Sequence, residues 1–69
     1  MKNLLKVERA KQNMTQAELA TRVGVSRQTI NSIETGKYVP STLLALKIAA
    51  VCNARVDEIF ILEEGDLDS

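Results

Sequence analysis

The sequence has no histidine and no tryptophan, and only one cysteine, one proline, three glycines, one tyrosine and one phenylalanine. Each scarcity excludes something. Without histidine, and with Cys52 alone, there is no ligand set for zinc, no internal disulfide and no thiol pair for redox chemistry. Cys52 reads instead as a small core residue on a helix. The missing imidazole removes the commonest general base, and no glycine-rich segment could cradle a phosphate. The chain is therefore expected to be no enzyme and to carry no catalytic residues, cofactor, metal or small-molecule ligand. So few aromatic residues leave an apolar content of 45 % made mostly of Leu, Ile, Val and Ala, the material of a compact helical bundle. No apolar run approaches the roughly 20 residues needed to span a bilayer, and there is no signal-peptide pattern, so the expected location is the cytoplasm, away from membranes.

What is present amounts to one small domain of 69 residues. A domain of this size buries only about 60 % of its unfolded surface, so its core must be efficient or helped by a partner. The net charge of zero conceals a division. Residues 1–56 hold all nine basic groups against three acids, Glu8, Glu18 and Glu34, a balance of +6; residues 57–69 hold six acids and no base, a balance of −6. A basic body with an acidic end suits a polyanionic partner, and the acidic residues 63–69 also read as a solubilising tail.

The most informative stretch is TQAELATRVGVSRQTINSIETG, residues 15–36. Thr15 can cap a helix by accepting from a backbone N–H three residues on, while Glu18 reaches back to the Thr15 N–H. Leu19, Ala20 and Val23 then recur at helical spacing, and Gly24 supplies the left-handed residue that ends a helix without steric cost. Val25 can plug the corner. Ser26 is a second cap, and Ile30 and Ile33 give the next helix an apolar face before Gly36 stops it. The opposite face is polar: Arg27, Gln28, Asn31 and Ser32. Two short helices joined by a tight turn, with the second projecting such residues, have the geometry that enters a DNA major groove. Arginine bonds guanine O6 and N7, and glutamine or asparagine bonds adenine N6 and N7, although a solvated helix face would carry the same residue types.

TQAELATRVGVSRQTINSIETGKYVPS resembles the helix-turn-helix core of the Cro/CI-type regulators, the XRE family. The likeness extends upstream over LKVERAKQNM as a first helix and downstream over PSTLLALKIAAVCNARVDEIF as a fourth and fifth. It implies an all-α fold, a five-helix lambda-repressor-like DNA-binding domain over residues 1–62. It implies base reading from Arg27, Gln28, Asn31 and Ser32, and contacts to the DNA backbone from Gln16, Thr29, Lys37 and Tyr38, the last through its hydroxyl or through loop amides. It also implies an ion pair between Arg9 and Glu34 that ties the first helix to the recognition helix. Glu8 departs from the pattern, because family members usually carry an apolar residue there; either Val7 turns inward or Glu8 finds a partner.

The remaining elements are expected as follows. A first helix covers residues 3–12, with Leu5 and Ala10 inward and Asn13 ending it. Pro40 disfavours helix at Val39, and Ser41 caps a new start. Residues 42–52 are apolar almost all round, with Lys47 the one charge. The stripe Ala45, Ile48, Ala49 and Cys52 suffices for one core, which leaves Leu43, Leu46 and Val51 in surplus. After Asn53 a short helix sets Val56, Ile59 and Phe60 inward, and Ile61 and Leu62 follow directly. This surplus reads either as a helix wedged centrally in the monomer or as a dimer interface formed by Leu43, Val51, Ile61 and Leu62. The expectation is a homodimer on double-stranded DNA that acts as a repressor at a palindromic operator. The alternatives are an antitoxin and a protein-interaction module on the same fold.

Overall fold

Five helices and one pair of very short strands make up the computed structural model, which describes residues 1–68. Strand β1 (Lys2–Asn3) leads into helix α1 (Leu5–Lys11), where the Asn3 Oδ1 accepts the Leu5 N–H at 3.3 Å. Asn13, at φ 55°, turns the chain through the left-handed region that asparagine tolerates. Helix α2 (Gln16–Val23) opens on a complete capping box and closes at Gly24, φ 79°. Helix α3 (Arg27–Glu34) begins at Ser26, whose hydroxyl accepts the Thr29 N–H at 3.1 Å, and is released at Gly36, φ 80°. Ser41 caps helix α4 (Thr42–Val51) in the same way, accepting the Leu44 N–H at 3.2 Å. After Asn53, again left-handed, comes the one-turn helix α5 (Val56–Ile59), then strand β2 (Phe60–Ile61) and a 3₁₀ turn (Glu64–Leu67).

The core is a single cluster to which every helix contributes. Leu5 of α1, Leu19 of α2, Ile30 and Ile33 of α3, Ile48 of α4 and Ile59 of α5 are sealed from solvent, with Cys52 and Met14 among them. Truncating any of these large residues to alanine removes packing of the kind that costs about 2 to 5 kcal/mol. The two strands then fasten the chain ends, antiparallel, with Lys2 opposite Ile61 and Asn3 opposite Phe60. The molecule measures 35 × 20 × 19 Å. Among the described residues no helix is long and apolar enough to cross a membrane.

Several expectations need correction. Asn3 lies in β1, so the first helix starts at Leu5, and Ala10 is exposed because α1 turns only one narrow side to the core. Of the two alternatives at the start of α1 the second holds: Glu8 pairs with Lys11 at 2.9 Å, and Val7 is 49 % exposed. In α4 Leu44 joins Ile48 and Ala49 in the core, and Ala45 is left at its margin. Val51 is half-buried against the core, so it was no surplus residue. Phe60 points inward as expected, but from a strand, and Ile61 is half-buried beside it. The acidic segment is folded back: the Met1 ammonium lies 3.1 Å from Asp66 and 3.3 Å from Glu63. The Glu63 N–H and that ammonium hold the Asp66 carboxyl below the usual aspartate range. Ser69, the end of the expected tail, lies outside the described residues.

Candidate nucleic-acid interface

Helices α2 and α3 meet at a corner because both bury a face in the same cluster. Leu19, Ala20 and Val23 of the first helix pack with Ile30 and Ile33 of the second, and Val25 fills the angle from the turn. With Ile30 and Ile33 turned inward, helical periodicity presents Arg27, Gln28 and Asn31 to solvent, and all three are exposed. Ser32 is half-buried beside them. Thr29 is also half-buried, its hydroxyl 2.9 Å from that of Ser26. Gln28, Thr29 and Ser32 share one open concavity with Tyr38 from the following loop, floored by Val25 and Leu44 and about 510 Å³ in volume. The fold thus gathers residues expected to read bases and residues expected to touch phosphates on one wall.

The loop after α3 is held close to it. The Ser32 carbonyl accepts from both the Lys37 N–H at 2.9 Å and the Tyr38 N–H at 3.2 Å. Those two amides are therefore occupied, and what the loop offers a phosphate is the Lys37 ammonium and the Tyr38 hydroxyl, both on exposed side chains.

Behind this surface lies the ion pair. Arg9 Nε donates to Glu34 Oε2 at 2.7 Å and Nη2 to Oε1 at 3.2 Å, and Nη1 donates to the Met14 carbonyl at 2.7 Å. The two side chains are 14 % and 5 % exposed. The bonds to Glu34 push the Arg9 pKa up against the opposing effect of burial, so the guanidinium keeps its charge. Gln16 joins it: Nε2 donates to Glu34 Oε1 at 3.1 Å and to Asn31 Oδ1 at 3.3 Å. The side-chain donors of Gln16 are thus turned toward α3, and toward a phosphate it offers its main-chain N–H, which at the first position of α2 has no intrahelical acceptor. The link from Gln16 to Asn31 was missed in the sequence, since only the crossing of the two helices brings these side chains together.

On the remaining surface Leu43 and Leu62 are each 64 % exposed, while Val51 and Ile61, expected in the same patch, are half-buried. Leu46 and Val39 are exposed as well. Val39 was missed because a lone valine before a proline carries no periodicity.

A family model described as helix-turn-helix matches residues 5–59. An uncharacterised helix-turn-helix-type transcriptional regulator of Archaeoglobus fulgidus is 57 % identical over 67 residues, covering 97 % of this chain and 94 % of that protein. One from Methanocaldococcus jannaschii, also uncharacterised, is 53 % identical over 66 residues, covering 96 % of this chain and all of its own length. Among solved structures, the restriction-modification controller protein C.AhdI of Aeromonas hydrophila superposes with a TM-score of 0.75 at 27 % identity, covering 81 % of this chain and 85 % of that one.

Proposed function

The chain belongs to the helix-turn-helix family of the Cro/CI (XRE) type, and from that membership we propose that it is a DNA-binding transcriptional repressor that occupies a palindromic operator as a homodimer. The observation that carries the reading is the outer face of α3. Arg27, Gln28 and Asn31 are exposed at its start and middle, with Lys37 and Tyr38 just beyond its end. In this reading the first set meets base edges in the major groove and the second meets phosphates. The A. fulgidus relative, described as a transcriptional regulator, points the same way.

Dimerisation rests on different ground. One recognition helix reads only a few base pairs, whereas a two-fold pair presents two helices about 34 Å apart, one turn of DNA. Leu43, Leu46 and Val39 lie exposed along the start of α4 and the loop before it, and Leu62 lies beyond β2. A second copy would cover these side chains.

Selection from a random duplex library, followed by titration of the enriched site at two salt concentrations, tests the function. Enrichment of a two-fold symmetric site with a steep loss of affinity in salt is the expected result. Lys37→Ala should weaken binding to all sequences alike and reduce the salt slope by roughly one. An interaction module that uses the fold for protein partners would enrich nothing and show no such slope.

A further inference from the structure

We propose that the Arg9–Glu34 ion pair determines, by way of Gln16, which end of the Asn31 carboxamide faces DNA. Asn31 then acts as a hydrogen-bond donor that selects a base with an acceptor edge. The inference rests on the DNA-binding reading above and deepens it.

Donor and acceptor polarity passes along a chain of contacts. A guanidinium carries donors only, and an ionised carboxylate acceptors only. Arg9 fills both oxygens of Glu34, at 2.7 and 3.2 Å, so the carboxylate cannot turn away. Gln16 meets Glu34 Oε1 at 3.1 Å, and a carboxamide can face a carboxylate only with its nitrogen, because its own oxygen there would set two acceptors against each other. The second proton of that nitrogen is directed at Asn31, 3.3 Å away. Asn31 must answer with its oxygen, since the reverse orientation would bring two NH₂ groups together. Its Oδ1 is thus drawn toward Gln16, and the Nδ2, across the same planar group, is presented on the exposed side of α3.

In the major groove guanine offers O6 and N7, adenine N7 and thymine O4 as acceptors, whereas cytosine offers only the N4 amino donor. Asn31 should therefore reject cytosine at the position it touches. Gln16, Glu34 and Arg9 are positioning residues for this contact, with no need to touch a base themselves.

The test is random-site selection on duplex DNA with the wild type and with Asn31→Asp, Gln16→Ala, Asn31→Ala and the double variant Gln16→Ala/Asn31→Ala. The wild type should disfavour cytosine by roughly tenfold at one position of each half-site. Asn31→Asp keeps an acceptor for Gln16 and turns an acceptor outward, so the preference there should move to cytosine or to the amino group of adenine. Because Asn31 is exposed, that exchange leaves the core intact. Gln16→Ala frees Asn31 to rotate and should reduce discrimination at the same position to about twofold, while in the Asn31→Ala background it should change nothing there. Unaltered base preferences in both Asn31→Asp and Gln16→Ala would overturn the proposal. So would a Gln16→Ala defect equal on all sequences, which marks a phosphate contact only. If the wild type enriches no site, the DNA-binding reading itself fails and takes this inference with it.

Discussion

Arg27 and Gln28 stand on the first turn of α3, exposed and without a side-chain hydrogen bond to any described residue, which distinguishes them from Asn31 behind them. Their side chains are free to meet a base edge without first breaking an internal contact. Arg27→Ala or Gln28→Ala should accordingly cost roughly 1 to 3 kcal/mol on the selected site and leave binding to random DNA nearly unchanged, measured by competition titration. At the other end of the motif, Glu18 accepts the Thr15 N–H at 3.1 Å, and the bonds to Thr15 hold its carboxyl below the ordinary glutamate range. A depressed folded-state pKa means that the contribution is full above the unfolded value and is lost as pH falls through the folded one. The stability advantage of the wild type over Glu18→Ala should thus be constant near neutrality and narrow in acid, as followed by thermal melts across a pH series.

The helix-turn-helix elements were legible because each carries its own punctuation. Thr15 with Glu18, Ser26 and Ser41 mark starts, and Gly24 and Gly36 mark stops, by local chemistry that does not depend on the rest of the fold. At Gly24 that chemistry can be isolated. An added Cβ would meet nothing within 4 Å, so only the positive φ opposes a side chain. Gly24→Ala should cost about 1 kcal/mol by urea unfolding, and Gly24→Asn less, since asparagine tolerates this conformation. Elsewhere punctuation failed. Helix α4 is apolar on nearly every side, so its periodicity could not choose between Leu44 and Ala45 or show that Val51 is half-buried against the core. Strands of two residues have no period to read, and β1 and β2 exist only because the bundle brings the two ends of the chain together. The face of α3 could be listed from residue type, whereas its tie to Gln16 depends on a helix crossing that no local pattern encodes.

For the molecule as a whole, the surface left uncovered matters most. Leu43 and Leu62 are each 64 % exposed and belong to no internal cluster, so charging either one should leave the monomer folded. Leu43→Asp or Leu62→Asp should give a protein with wild-type helix content that sediments as a monomer at micromolar concentration and loses operator affinity steeply. Dimers with operator affinity intact in both variants would place the interface elsewhere. The antiparallel pairing of Lys2 with Ile61 and Asn3 with Phe60 also sets the order in which the molecule assembles. The corner of α2 and α3 joins segments close in the chain, while this clasp must close nearly the longest loop available for the return of two residue pairs. It should therefore form late and open early, which amide exchange of Lys2, Asn3, Phe60 and Ile61 ahead of the α2 and α3 core amides would check. Through Asn3 Nδ2, which donates to the Ile33 carbonyl at 2.9 Å, each opening of the clasp also frees an acceptor in the last turn of α3. Local unfolding should therefore reach α3 from its C-terminal end, while its N-terminal turn, proposed above to meet base edges, stays fastened by Ser26.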